Sequence, residues 1–251
     1  MTLIVTDENS LKIITAMQAD GFPPGCAEDG RFRSEPIGTY SAVYADEFPL
    51  IPESEVIERI KYVTANQGFI GQRWQPDPRA HFQSTFGWCW AYSLTQAVEG
   101  VRAGQGLPFV QLAPESLLEL VNYRNQGYYC DRALEYAKQH GIAERALVPQ
   151  YSQNPVKWGD YRENAKQYVP LETWDCTQKE MRAQVRTALL CGDGVYGGWD
   201  KYRHAMWLDG MLLDGNKIRY HTPNTHGPGK DWALDSEPDE AFILRSATYN
   251  G

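Results

Sequence analysis

Apolar residues recur at helical spacing in separate runs between Pro52 and Gly192, with residues 150–170 polar and without clear period until about Glu163, and at strand spacing from Gly194 onward. Pro52 opens the first clear helix, with Glu53 and Glu55 in its first turn and Val56, Ile57, Ile60 and Val63 on one apolar face. Ala91, Leu94, Ala97, Val98 and Val101 predict a second helix beginning near Cys89. Leu112-Ala113-Pro114-Glu115, followed by Leu117, Leu118, Leu120 and Val121, marks a third, and Asp131 to Ala137, ended by Gly141, a fourth. Thr177-Gln178-Lys179-Glu180 reads as a capping box before Met181, Val185, Ala188, Leu189 and Leu190, in a helix stopped by Gly192. Val195 to Gly198 and His204 to Leu213 then predict two strands. Asp214-Gly215-Asn216 makes a hairpin turn, Lys217 to Thr222 the return, and Ala241 to Leu244 the last strand. Helices first and antiparallel strands after give an α+β chain whose two halves meet at a groove.

Residues 1–50 follow neither period for long. A short apolar start (Leu3-Ile4-Val5) and a weak helical run from Leu11 to Met17 lead into Gly21-Phe22-Pro23-Pro24-Gly25 and more Gly, Pro and Ser. The expected organisation is an N-terminal arm over 1–50 and one domain over 51–251. The arm either wraps that domain, docks on a protein partner or assembly, or stays solvated.

Composition narrows the function classes. A length of 251 residues with 42% hydrophobic content, eight Trp and fifteen Tyr supports a sizeable core. The net charge of −8, without a basic cluster, argues against nucleic acid and anionic membranes as partners. No apolar run is long enough to span a bilayer, and the first twenty residues lack the basic start and apolar centre of a signal peptide. The five cysteines (Cys26, Cys89, Cys130, Cys176, Cys191) are odd in number and form no Cys-x-x-Cys pair. No zinc-ligand spacing occurs, so neither a metal nor a cofactor is expected.

Chemistry concentrates at Gln83 to Ser93. A thiol at a helix N-terminus lies beside unpaired backbone N–H groups and the positive end of the dipole, which favour thiolate, the nucleophilic form. Six residues upstream, Gln83 can turn its amide toward an oxyanion forming beside the Cys89 sulfur. A cysteine on a core helix also has a plainer reading as a buried, inert thiol. Gln83 at that offset, followed by Cys89-Trp90-Ala91-Tyr92-Ser93, resembles the active-site segment of papain-like cysteine peptidases. His204-Ala205-Met206-Trp207 resembles that family's histidine strand, and Asn224-Thr225-His226-Gly227 its asparagine segment. The resemblance covers roughly residues 74–247. It implies a helical left lobe, a β-rich right lobe and a Cys-His-Asn triad cutting peptide or protein substrates. Cys89 would be the nucleophile, His204 its base, Asn224 the group that orients the imidazole, and Gln83 with the Cys89 N–H the oxyanion donors.

The chain departs from the family pattern in several places. Phe86 stands where secreted members carry a disulfide cysteine, which fits a reducing compartment. Tyr128 and Tyr129 follow Gly127 where the family places adjacent glycines, so two rings either narrow the cleft or stack on a substrate. His226 replaces the tryptophan that covers the His–Asn hydrogen bond, implying a wetter contact and weaker activity. Glu55, Arg59, Asn66 and Ile70 fall on spacings of the family's helical propeptide; with only twelve residues between Ile70 and Gln83, the match is taken as chance. Short and without disulfides, the chain is similar to members encoded by bacteriophages and bacteria, implying a cytoplasmic or virion-associated setting. Two other readings stay open: a catalytically weak or inactive structural module, and another Cys-His acyl enzyme such as a cell-wall amidase or a transglutaminase-like acyltransferase.

Overall fold

The structure, a computed structural model, describes residues 3–6, 8–19, 42–43, 46, 48–67, 81–177, 180–226 and 231–248. Cys26 and the Gly/Pro-rich part of the arm, Ile70, Gln178, Lys179 and Gly227-Pro228-Gly229 lie outside them. In chain order the elements are β1 (Leu3–Val5), α1 (Ser10–Ala19), β2 (Ala42–Val43), α2 (Glu53–Gln67), α3 (Cys89–Gly104), a 3-10 helix (Pro114–Val121), α4 (Cys130–His140) and α5 (Tyr161–Ala165). They continue with β3 (Pro170–Asp175), α6 (Met181–Leu190), β4 (Gly194–Trp199), β5 (His204–Leu208), β6 (Gly210–Asp214), β7 (Lys217–Pro223), β8 (Asp231–Leu234) and β9 (Glu240–Ala247).

The left lobe is built around α3. Its residues from Cys89 through Arg102 are buried on every side, beyond the single stripe that the apolar spacing marks. That burial is possible because each polar residue on it has a partner. Ser93 Oγ donates to Ala205 O at 2.7 Å, Thr95 Oγ1 to Ala91 O at 2.8 Å and Gln96 Nε2 to Pro223 O at 3.2 Å. Glu99 accepts the Leu112 N–H at 2.7 Å and lies 2.7 Å from His81 Nε2. The 3-10 helix and α4 complete this core with Leu117, Leu118, Ala133 and Leu134. The segment read as a regular third helix is thus 3-10 in form, ending on left-handed Asn122 and Tyr123. Gly141 ends α4 at φ +76°, and any Cβ there would strike Ala165 O at 1.8 Å, so only glycine fits.

The right lobe holds two sheets, of order β1-β8-β7-β6 and β2-β3-β9-β4-β5. Pairing is antiparallel except at the edges, where β1 joins β8 and β2 joins β3 in parallel. The continuous strand expected from His204 to Leu213 breaks at Asp209, and its halves enter different sheets. Asp209 is buried there against His221, at 2.6 Å, and its N–H donates to His221 O. The expected capping box does not form. Thr177 Oγ1 accepts the Ala241 N–H at 3.1 Å, and α6 starts from Glu180 at φ +48° without a side-chain cap. Val56 and Ile60 of α2 pack into the right-lobe core, and so does Val5 of the expected arm. Among the described residues no helix is long and apolar enough to cross a membrane.

Candidate active site

Four elements from both lobes converge on Cys89. It is the first residue of α3, preceded by Trp88, whose carbonyl accepts from Ala91 and Tyr92 N–H at 2.9 and 3.0 Å. The loop before it is held by aromatic stacking and cross-loop hydrogen bonds. Phe86 stacks on Trp88 with centroids 4.0 Å apart, and on Tyr151 at 5.5 Å. Gly87 N–H donates to Asn125 Oδ1, Trp88 Nε1 to Arg124 O and Trp90 Nε1 to Gln126 O. Cys89, Cys130, Cys176 and Cys191 form no disulfide among the described residues. Aromatic pairs contribute about 0.5–1.5 kcal/mol each beyond burial, so the stack offsets part of what a staple would supply.

Helical spacing brings the right lobe to the sulfur. Cys89, Ser93 and Gln96 stand at i, i+4 and i+7 on one face of α3. Ser93 holds β5 at Ala205 and Gln96 holds β7 at Pro223, just before Asn224. Tyr196 OH on β4 adds a third tie, donating to Trp90 O at 3.0 Å. Ala205 N–H then donates to Cys89 Sγ at 3.2 Å. His204, the preceding residue, places Nε2 3.0 Å from Asn224 Oδ1. The same Oδ1 accepts the His226 N–H at 3.2 Å, which turns the amide oxygen toward the ring. An oxygen cannot donate, so Nε2 carries the proton. In the neutral ring the lone pair is therefore on Nδ1. Nδ1 has no hydrogen-bond partner among the described residues.

Gln83 is tied to the same strand end. Its N–H donates to Thr225 O at 3.0 Å, and its Oε1 accepts from Thr225 Oγ1. Nε2 donates to Phe86 O at 2.7 Å, which engages one of the two amide hydrogens. The structure thus brings together all four residues singled out in the sequence.

The electrostatics are those of a dry site. Cys89 is 0% exposed, His204 2%, His226 7% and Asn224 9%. Burial pushes the His204 imidazole down to about 4, against the opposing pull of its bond to Asn224. The ring is neutral at neutral pH. His226 stacks on it with centroids 4.3 Å apart, and burial, then the neighbouring ring, hold His226 well below its ordinary range. The expectation of a wetter His–Asn contact is therefore corrected: imidazole covers one side, and Trp232 on β8 stands 5.9 Å from His204. Trp232 was not singled out from the sequence, where a lone aromatic in a short strand carries no signal of its contact. Tyr128 packs tilted on Trp90 at 5.4 Å and on Tyr129 at 5.6 Å, lining the loop beside the site.

Comparison of the whole fold finds solved structures of similar architecture. Xylellain, a cysteine protease from Xylella fastidiosa, is similar in structure with a TM-score of 0.61 and 15% identity, covering 92% of this chain and 97% of that one. The fold is papain-like. Digestive procathepsin L 3 of the Tenebrio molitor larval midgut is similar at a TM-score of 0.53 and 15% identity, over 94% of this chain and 78% of its own. The ragweed pollen allergen Amb a 11, a cysteine protease in its proform, is similar at 0.51 and 14%, over 97% and 87%. No protein-family model and no curated protein sequence matches the chain. At such identities the likeness is one of fold, with the two lobes of a papain-like chain meeting at the Cys89 helix.

Proposed function

We propose that the chain is a cysteine peptidase working through Cys89, His204, Asn224 and Gln83. The observation that carries this reading is His204. Asn224 fixes its Nε2, its Nδ1 is left without a hydrogen bond, and the next residue's N–H rests on the Cys89 sulfur. Nδ1 takes the thiol proton as sulfur attacks the acyl carbon, and the oxyanion is met by the Cys89 N–H and the second Gln83 amide hydrogen. The imidazolium returns its proton to the leaving amine. Water, deprotonated by the same nitrogen, then releases the acid and frees the thiol. The substrate class is a peptide or protein.

An epoxysuccinyl inhibitor, followed by peptide mapping, tests the assignment. Cys89 is expected to alkylate at pH 6 faster than Cys26, Cys130, Cys176 and the exposed Cys191. Equal or slower reaction at Cys89 removes the catalytic role. A second reading, the fold as an inactive platform whose N-terminal segment docks on an assembly, draws on the full burial of Cys89. It predicts no labelling of that thiol and no hydrolysis of peptides.

A further inference from the structure

The turn over residues 149–152 carries a residue unsuited to its backbone. Ser152 N–H donates to Pro149 O at 3.1 Å, and Tyr151, the third residue of that turn, has φ +61°. Glycine or asparagine fits a positive φ there, and a residue as bulky as tyrosine adopts it only under constraint. The constraint is Glu115, 0% exposed, at the start of the 3-10 helix. Its Oε1 accepts the Tyr151 N–H at 2.7 Å and Tyr92 OH of α3 at 3.0 Å, while Oε2 pairs with Arg145 at 2.7 Å. A buried carboxylate tied to several elements at once is a rigid anchor.

The tyrosine side chain carries that anchor into the loop before the nucleophile. Tyr151 OH donates to Phe82 O at 2.6 Å, and its ring stacks on Phe86 at 5.5 Å. Phe82 and Phe86 stand on either side of Gln83. The Phe82 carbonyl belongs to the peptide that leads into Gln83, and the Phe86 carbonyl accepts Gln83 Nε2 at 2.7 Å. Phe86 stacks in turn on Trp88, the residue before Cys89, at 4.0 Å. The other end of the Gln83 amide, Oε1, is held from the right lobe by Thr225. Tyr151 thus governs the left-lobe end of the amide whose second hydrogen is left to meet an oxyanion.

We propose that Tyr151 is a positioning residue for the Gln83 amide, linking the Glu115 anchor to the two residues that flank Gln83. The proposal rests on the peptidase reading. Tyr151 acts through Gln83 and takes part in no bond change itself. A donor aimed at the oxyanion's place strengthens its bond in the transition state, so loss of aim falls on kcat and spares KM.

Tyr151→Phe removes the hydroxyl and keeps the ring, whereas Tyr151→Leu removes both. With a peptidyl-aminocoumarin substrate, kcat is expected to fall about fivefold in the first and about thirtyfold in the second, with KM within about twofold. On a Gln83→Ala background neither should lower kcat by more than about twofold, because the group it positions is gone. Alkylation of Cys89 by iodoacetamide develops no oxyanion, and its rate in Tyr151→Phe should stay within about twofold of wild type. The Gln83 side-chain amide resonances in the 15N-labelled protein, identified by their loss in Gln83→Ala, report the position without catalysis. They should shift or broaden in Tyr151→Phe while the indole resonance of Trp174, in the right-lobe core, stays in place. Should Tyr151→Phe fail to fold, Phe86→Leu, which breaks the stack from the loop side, must move the same resonances and lower kcat. A wild type that cleaves no peptide would end the peptidase reading alone, since the resonances still decide whether Tyr151 holds the amide. Unmoved Gln83 resonances, or kcat losses that multiply in full with Gln83→Ala, overturn the proposal.

Discussion

The two halves of the candidate site are made by different means. The nucleophile's half is one helix, in which a single stretch of sequence sets the sulfur, the buried faces and the start of the backbone. The base's half is assembled from strand ends that lie apart in sequence, with His204 heading β5 and Asn224 following β7. What holds the second half to the first is polar: the Ser93, Gln96 and Tyr196 bonds, and the Ala205 N–H on sulfur. A helix thus supplies geometry by itself, whereas the strands supply it only while the seam holds.

The largest break in that comparison is His204→Ala. It should lower kcat/KM for a peptide by at least about a thousandfold while leaving the melting curve cooperative. Residual activity of similar size to wild type would move the base elsewhere. Next in size is removal of residues 1–49. The domain beginning at Leu50 is expected to fold by circular dichroism, and loss of Val5 burial should destabilise it by about 1.5–3 kcal/mol, several degrees in Tm. An unfolded product would make the N-terminal segment part of the domain.

Loosening the seam comes third. Ser93→Ala with Gln96→Ala removes two buried hydrogen bonds, worth about 1 kcal/mol each. The double variant should melt a few degrees lower and lose kcat more than it raises KM, because the base drifts from the nucleophile. An unchanged kcat would show that the strands hold their position unaided. Within the right lobe, desolvation of His221 is outweighed by the hydrogen bonds its ring donates to Asp209 and Asp231, which raise it to about 10 from an ordinary 6.5. Its stabilisation is therefore full below pH 6.5 and is lost as pH climbs toward 10. Chemical denaturation at pH 7 and pH 10 should show a steeper alkaline loss in wild type than in His221→Gln, and parallel losses would remove the pair from the account. The smallest effect is expected from His226→Trp. With Trp232 already against the base, activity should change by no more than about threefold across the pH profile; a tenfold gain would mean that the imidazole shields poorly after all.

Legibility in the sequence followed the same division. Gln83, Cys89 and the α3 stripe were readable because their relation is local. His204 and Asn224 were readable only through their short flanking motifs, since nothing in the alternation says which strand ends meet. The polar face of α3 is silent in the sequence because Ser93 and Gln96 become informative only once β5 and β7 lie against them. Unbroken alternation from His204 to Leu213 hid the change of sheet at Asp209, where a buried ionic contact overrides the pattern. Thr177 looked like a helix cap until β9 supplied a competing N–H.

The parallel pairing of Leu3, Ile4 and Val5 with Trp232, Ala233 and Leu234 has a consequence for handling the protein. Those three residues occupy the outer margin of β8, a strand whose other side is already taken by β7. Clipping them away would bare a ladder of backbone donors and acceptors right behind Trp232, and such a ladder recruits the same margin of another molecule. A proteolysed preparation would then self-associate as its concentration rises, and its first visible defect would be turbidity before any loss of helical signal.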